Sequence, residues 1–154
     1  MRKNTANDFY LKICIWTFSC IILAGICYQI KVVIINAAEA SENAGSAIQI
    51  ISAVKQLQKQ YAEKHQGKYA PNFYELVHSE NLDEKFAREN PIVNGYVFDM
   101  KVLEATNQKP AFYSITADPL YCDCEAMHFY FDSTLGTVKY TEENRPAKAD
   151  DPTI

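Results

Sequence analysis

The chain has 154 residues, of which 48% are hydrophobic and 22% charged, and its 15 basic and 19 acidic side chains give a net charge of −4. An apolar content of this size supports one folded core, and the length fits one domain beside a membrane segment. No run of Lys or Arg follows residue 35, so the sequence argues against a nucleic-acid-binding protein.

An apolar segment, ICIWTFSCIILAGICYQIKVVII, occupies residues 13–35 and contains one charged side chain, Lys31. A transmembrane helix needs about 20 apolar residues, whereas the apolar core of a secretory signal peptide has about 7–15. Cleavage after the small residues at 36–40 and lipidation of Cys27 are the alternatives, although Ile26 stands where a lipoprotein signal has a small residue. Residues 13–35 are therefore predicted to be a transmembrane helix.

The charges before this segment predict its orientation. Three basic residues and one acidic residue precede it: Arg2, Lys3, Lys12 and Asp8. By the positive-inside rule, residues 1–12 remain in the cytoplasm and the rest of the chain is exported. We expect a single-pass protein of the inner, cytoplasmic membrane with a periplasmic or extracellular domain. Trp16 and Tyr28 lie near the two ends of the segment, where amphipathic rings are favoured.

Helical periodicity continues beyond the membrane segment. Apolar residues recur at spacings of three and four: Ala44, Ala47, Ile50, Ile51, Val54, Leu57 and Tyr61. Lys55, Lys59 and Glu63 fall on another face, and Gly67 is a suitable stop signal. We expect one helix from about residue 10 to residue 66. The alternative is two helices that separate near residues 36–41 or at Gly45.

The rest of the sequence predicts a short helix and short strands joined by turn residues. Asn72 is predicted to cap a short helix over residues 73–82, and Asn94-Gly95 marks a turn. Four alternating segments predict antiparallel strands: residues 96–102, 111–117, 127–131 and 137–140. The apolar face of this sheet needs a cover, which the amphipathic part of the long helix supplies. The predicted fold class is α+β, a long N-terminal helix packed on a four-stranded antiparallel sheet.

This interpretation divides the chain into four parts. They are a cytoplasmic segment at 1–12, the transmembrane part of the helix at 13–35, an exported domain at 36–140 and a tail at 141–154. The tail is polar and contains two prolines, so it is predicted to be disordered.

Five cysteines fall into two groups. Cys14, Cys20 and Cys27 lie in the apolar segment, where they are expected to pack or face lipid as small hydrophobic residues. Cys122 and Cys124 lie in the exported part, which permits disulfides. A bridge between these two closes a small, strained ring, so disulfides to other partners and free thiols remain open.

Residues 122–128, CDCEAMH, are also the best candidate for a metal site. Cys122, Cys124 and His128 are potential zinc ligands, with Glu125 or Asp118 as a fourth. Against this, Cys-x-Cys is not the usual spacing of zinc-binding cysteines.

Calcium is a second candidate ion. Three aspartates near the sheet are potential oxygen donors, although Asp in turns is common for structural reasons alone: Asp118, Asp123 and Asp132. On balance we expect no metal and no cofactor.

No pattern of catalytic residues is present in the sequence. The three histidines, His65, His78 and His128, are scattered, and Glu75, Glu80 and Glu84 are read as a solvated helix face. No nucleophile elbow or phosphate-binding glycine loop occurs. We expect a protein that is not an enzyme and has no catalytic residue and no small-molecule substrate.

The order of these elements resembles type IV pilins and type II secretion pseudopilins, over about residues 36–140. The stretch NAGSAIQIISAVKQLQKQYAEKHQGKYAP is similar to the pilin region that leads into a GxYP-like turn, and GYVFDMKV and FYSITADPL resemble pilin strands. HFYFDSTLGTVKY resembles the closing F-x-x-D-x-x-G-x-[IV] hairpin, one residue longer than the pattern. Its residues here are Phe129, Asp132, Gly136 and Val138.

The N-terminal region departs from the pilin pattern. Pilins carry a glycine at the end of a leader that prepilin peptidase removes, followed by a glutamate that registers neighbouring subunits. Here residues 7–13 read NDFYLKI, without that glycine, and Ile13 takes the approximate position of the glutamate. The resemblance implies a membrane-anchored, non-enzymatic subunit of a pilus or pseudopilus whose long helix packs against other subunits. The alternative is an unprocessed, anchored periplasmic binding or accessory domain.

Overall fold

The computed structural model describes residues 5–121 and 126–154, and within the first helix it describes side chains from Trp16 onward except those at 33 and 37. The chain divides into two compact units, Met1–Ala40 and Ser41–Ile154. Helix α1, Thr5–Lys64, supplies the described part of the first unit and the first element of the second. Residues 36–41 belong to α1, so the predicted single helix is confirmed and the two-helix alternative is wrong.

The second unit is an α+β domain with a five-stranded antiparallel sheet. Its further elements are α2, Phe73–Glu80, a 3₁₀ turn, Glu84–Phe86, and the strands β1, Ile92–Val93; β2, Tyr96–Leu103; β3, Phe112–Pro119; β4, His128–Asp132; and β5, Val138–Thr141. The strands lie in sequence order, each antiparallel to the next. The predicted count of four strands is corrected to five, since β1 was missed.

Strand β1 forms because the turn that follows it reverses the chain in two residues. Asn94 and Gly95 both have positive φ, 49° and 76°, which is the backbone twist that suits a tight hairpin. The turn then contacts α1: Asn94 Nδ2 donates to Ser46 Oγ at 2.6 Å. A Cβ at Gly95 would lie 3.3 Å from Asn43 Nδ2, so a side chain at this position would also crowd the helix.

The core lies between one face of α1 and one face of the sheet. From the helix come Ala47, Ile51, Val54 and Tyr61, and from the sheet come Tyr96, Phe98, Tyr113, Ile115, Ala117, Phe129 and Phe131. Every second residue of β3 and β4 faces this core, as alternation predicts for a sheet with one covered face.

The helix termini are closed by the residues that the sequence indicated. Asn72 caps α2 and accepts from the Glu75 N–H at 2.9 Å. At the end of α1, Gly67 has φ of 85° and its N–H donates to the Ala62 carbonyl at 2.8 Å. The two helices are tied together by Lys64, whose Nζ lies 2.7 Å from Oε2 of the buried Glu80 side chain.

The C-terminal strap, defined here as residues 142–154, lies against β5, whereas the sequence predicted a disordered tail at 141–154. Its last residues run along the outer edge of β5: the Tyr140 N–H donates to the Pro152 carbonyl at 3.0 Å, and the Ile154 N–H donates to the Val138 carbonyl at 3.2 Å. Ala147 and Asp151 are buried. A polar composition predicts disorder only when the segment finds no partner, and here the sheet edge provides one.

Candidate functional site

The apolar segment of α1 exposes its large side chains on all sides of the helix. An 18-residue window has mean hydropathy 2.2 and none of it is buried, so α1 is long and apolar enough to cross a membrane. Ten large apolar side chains here are exposed: Trp16, Phe18, Ile21, Ile22, Leu23, Ile26, Tyr28, Ile30, Ile34 and Ile35. A helix that is apolar all round requires lipid or other helices around it. The segment is therefore compatible with a single-pass membrane anchor.

Two free thiols lie within the same segment. Cys20 and Cys27 are exposed and lie seven residues apart, which places them two turns apart on nearly the same face of α1. Ala24 lies between them at helical spacing, and Gly25 follows it. Small side chains permit a second helix to approach closely in a membrane. The side chain of Cys14, the third cysteine of the segment, lies outside the described residues.

The second half of α1 is two-faced, as predicted, but its buried face includes a polar side chain that the sequence did not single out. Gln58 is fully buried, and its amide forms two hydrogen bonds with Ala70: Nε2 donates to the carbonyl at 3.0 Å and Oε1 accepts from the N–H at 2.9 Å. These bonds fix the turn that precedes α2 against α1. A buried amide needs this pairing because an unpaired polar group costs about 1–3 kcal/mol.

Lys55 lies on the solvent side of α1 and also fixes the β4–β5 hairpin. Its Nζ donates to the Gly136 carbonyl at 2.8 Å and lies 5.2 Å from the centre of the Phe131 ring. The first contact satisfies a turn carbonyl, and the second is within the range of a cation–π interaction. The sequence pattern placed Lys55 on the exposed face but could not indicate the hairpin as its partner.

Of the predicted zinc ligands, His128 and the alternative fourth ligand Asp118 lie in the described part of the chain. Cys122 and Cys124 lie outside it, as do Asp123 and Glu125. His128 Nδ1 is 2.6 Å from Asp118 Oδ1, across neighbouring positions of β3 and β4. This contact joins the two ends of the connection between the strands. The pair was predicted only as potential ligands of one ion, and its direct contact follows from the strand register.

Tyr96 supports the same end of the sheet. Its hydroxyl donates to the Met127 carbonyl at 2.9 Å, next to His128. Burial raises the pKa of the Tyr96 phenol to about 12, and the Asp118 carboxylate adds to this shift. The phenol is therefore neutral and available as a donor at ordinary pH.

Asp132, a predicted calcium donor, organises the β4–β5 turn. Its Oδ1 accepts from the Thr134 and Leu135 N–H groups, each at 2.8 Å, and its Oδ2 accepts from the Tyr130 hydroxyl at 3.1 Å. Burial raises the pKa of the Asp132 carboxyl, but hydrogen bonds from Thr134, Leu135 and Tyr130 outweigh it and lower the pKa below 3.8. Turn formation thus accounts for this aspartate in the hairpin pattern.

Other titratable side chains are dispersed. His65, the residue after α1, stacks on Tyr61 with ring centres 3.8 Å apart, and His78 stacks on Tyr74 within α2 at 4.0 Å. Among the side chains that the structure describes, no three His, Cys, Asp or Glu residues converge as a metal site would require. The expectations of no metal, no cofactor and no catalysis stay predictions, because residues 122–125 are not included.

The functional features of the described chain are therefore an unburied apolar helix segment and a folded α+β unit that follows it in sequence. Comparisons of the sequence and structure with protein-family models, curated proteins and solved structures found no match.

Proposed function

We propose that this chain is a membrane-anchored, pilin-like structural subunit that assembles through α1 into a pilus or secretion pseudopilus. The observation that carries the proposal is the two-part character of one helix. The described side chains of the apolar residues 16–35 are unburied, while Ala47, Ile51 and Val54 of the same helix lie in the core of the second unit. A subunit of this kind needs no catalytic residue, because helix packing is its activity.

The proposed orientation follows from charge. The basic residues before the segment place the N-terminus in the cytoplasm and the α+β unit in the periplasm or outside the cell. The partners are membrane lipid and other pilin-like subunits, and we expect no nucleic acid and no small-molecule substrate. Ala24 and Gly25 would allow close contact between α1 helices. The resemblance of residues 36–140 to pilins supports the same role.

The second candidate function is an anchored accessory or binding domain that never polymerises. The sequence NDFYLKI at residues 7–13 favours it, because the glycine and the glutamate used by pilins for processing and subunit registration are missing. In this case α1 serves only as an anchor.

Native cysteines allow the two functions to be separated by disulfide cross-linking in the membrane. We would express full-length chains that retain only Cys20 or only Cys27, with the other cysteines changed to Ser, and oxidise the membranes. A second chain carries only Ile22→Cys, which lies at a similar depth but on the opposite side of α1, and the matched control is the chain with no cysteine. A third chain combines Cys20 with Ile22→Cys.

A filament subunit contacts neighbours on both sides of its helix. The proposal therefore expects a ladder of dimers, trimers and larger species from the chain with a cysteine on each face, and at most dimers from the chains with a cysteine on one face. Monomers alone after full oxidation would contradict assembly through α1 and favour the anchored accessory domain. Intact mass of the membrane-extracted protein gives the processing state of the N-terminus in the same preparation.

A further inference from the structure

The outer edge of β5 is a strand-binding surface that the C-terminal strap occupies. The sheet ends at β5, so the outward backbone groups of Val138 and Tyr140 would otherwise lack strand partners. The strap pairs with them antiparallel, at 3.0 and 3.2 Å, with Lys139 opposite Thr153. Lys139 Nζ also donates to Thr153 Oγ1 at 2.7 Å. Main-chain pairing of this kind accepts any extended segment with the right side chains.

The strap has its own internal support. Arg145 makes a two-pronged ion pair with Asp151, at 2.8 and 2.6 Å, and the Lys148 N–H donates to the same carboxylate at 2.7 Å. Hydrogen bonds from Arg145 lower the pKa of Asp151 to about 2, so the pair is charged at ordinary pH. All of these groups belong to the strap. Its shape therefore does not depend on which sheet it lies against.

Few contacts hold the strap to its own sheet. Beyond the turn that follows β5, three hydrogen bonds in the described chain join the strap to the strand, and Ala147 adds one small buried side chain. The residues between β5 and the Arg145–Asp151 pair, at 142–144, are exposed. A short exposed connection between a strand and a separately supported segment is a suitable hinge for exchange.

We propose that the β5 edge binds the C-terminal strap of a second copy of this chain, by exchange of residues 145–154 between subunits about the connection at 142–144. An exchanged strap supplies the same Pro152 carbonyl, Ile154 N–H and Thr153 hydroxyl, so no contact of the sheet is lost. A second β5 strand paired about Lys139 would instead bring two ammonium groups opposite each other, which is unfavourable. Confinement of anchored chains to a membrane raises the effective concentration that exchange requires.

Reciprocal exchange closes into a dimer, whereas one-way exchange between successive copies produces an open chain. The proposal concerns the second unit alone and goes beyond packing through α1. Its test therefore uses positions in the sheet and the strap, so that its failure is distinct from failure of assembly through the membrane helix.

The test joins the two positions that face each other across the edge. Lys139 and Thr153 form a non-hydrogen-bonded antiparallel pair, whose Cα atoms lie about 4.5 Å apart in such pairs and permit a disulfide. Full-length chains with the five native cysteines changed to Ser would carry Lys139→Cys in one copy and Thr153→Cys in the other, with different tags. The two are expressed together and oxidised in the membrane. The matched control replaces Lys139→Cys by Lys101→Cys, at an exposed position on β2.

A single chain that carries both Lys139→Cys and Thr153→Cys reports whether the strap occupies the edge at all. The proposal expects the mixed 139–153 disulfide in clear excess over the Lys101→Cys control, and both monomeric and dimeric disulfides from the doubly substituted chain. Exchange would be overturned if the mixed 139–153 disulfide formed in the same yield as in the Lys101→Cys control and the doubly substituted chain formed only the disulfide within one chain. Exchange would also be overturned if neither disulfide formed in a doubly substituted chain whose near-UV circular dichroism shows a folded α+β unit.

Discussion

The two halves of α1 differ in what surrounds their apolar side chains. Among the described side chains of residues 16–35, large apolar ones project in all directions and none is buried, with Ile21 69% exposed. In residues 41–64 the apolar side chains form one stripe, and Ile51 and Val54 are fully buried against the sheet. The second half has its partner within the chain, whereas the first half requires lipid or other helices. One continuous helix thus has a second half whose apolar face is covered within the chain and a first half that requires cover from outside it.

The largest effect on stability is expected in the second half of α1, whose apolar face is buried against the sheet. Ile51→Ala should lower the free energy of unfolding of the α+β unit by about 2–5 kcal/mol, because the side chain is fully buried and leaves a cavity. The matched variant is Ile21→Ala, in the exposed half of the same helix, which should leave this value unchanged. Denaturant unfolding of the full chain in detergent, followed by near-UV circular dichroism, measures both. Equal losses of unfolding free energy in Ile51→Ala and Ile21→Ala would contradict the difference between the two halves of α1.

A charge in the apolar half should act on membrane integration instead. Leu23→Arg is expected to disfavour insertion by about 2.5–3.5 kcal/mol, the cost of Arg near the centre of a transmembrane helix. Extraction of membranes with alkaline carbonate would then release the variant chain but not the parent. Gln56→Arg is the matched control at an exposed position of the second half, where a charge should have no effect on extraction. Release of both variants, or of neither, would argue against residues 16–35 as the anchor.

Removal of the Gln58 amide tests the polar contact between the second half of α1 and Ala70. Gln58→Ala should cost about 1–3 kcal/mol of unfolding free energy beyond the lost packing, because the Ala70 N–H and carbonyl are left buried without partners. Gln60→Ala is the matched control two residues away, where the side chain is not buried. The same denaturant unfolding distinguishes them. A loss of unfolding free energy in Gln58→Ala no larger than that in Gln60→Ala would show that the amide pairing is not required.

The smallest effects concern acid stability of the sheet edge and turn. The pKa values of Asp132 and Asp151 are below 3.8 in the folded chain, Asp151 at about 2. Each carboxylate therefore stabilises the fold fully above pH 3.8, and this stabilisation is lost as pH falls through the folded-state value. Asp132→Asn and Asp151→Asn should each reduce the slope of unfolding free energy against pH in this range.

Asp150→Asn is the matched control for the second of these substitutions, since Asp150 is the exposed neighbour of Asp151. The slope is measured by denaturant unfolding at several pH values between 2 and 5, a range chosen to bracket the shifted carboxyls. A slope that changes as much for Asp150→Asn as for Asp151→Asn would contradict the role assigned to the Arg145–Asp151 pair.

Much of the fold was predictable because its signals are local. The apolar run, the spacing of three and four along α1, the Asn72 cap and the alternating strands each depend on neighbouring residues. Strand β1 was missed because two residues carry no alternation, although the Asn94-Gly95 turn that creates its hairpin was recognised. The site predicted at 122–128 stays a prediction, and the contact of His128 with Asp118 depends on how β3 and β4 are aligned.

The sequence by itself determined that α1 is long, that its first half is apolar on every side, and that short antiparallel strands follow. These features arise from side-chain periodicity and backbone preference, which act over a few residues. Only the tertiary structure decided that Gln58 pairs with Ala70, that Lys55 holds the β4–β5 turn and that the strap covers β5. Each of these contacts joins residues at least 12 positions apart in sequence, so its partner is set by how the elements pack together, and no local pattern encodes it.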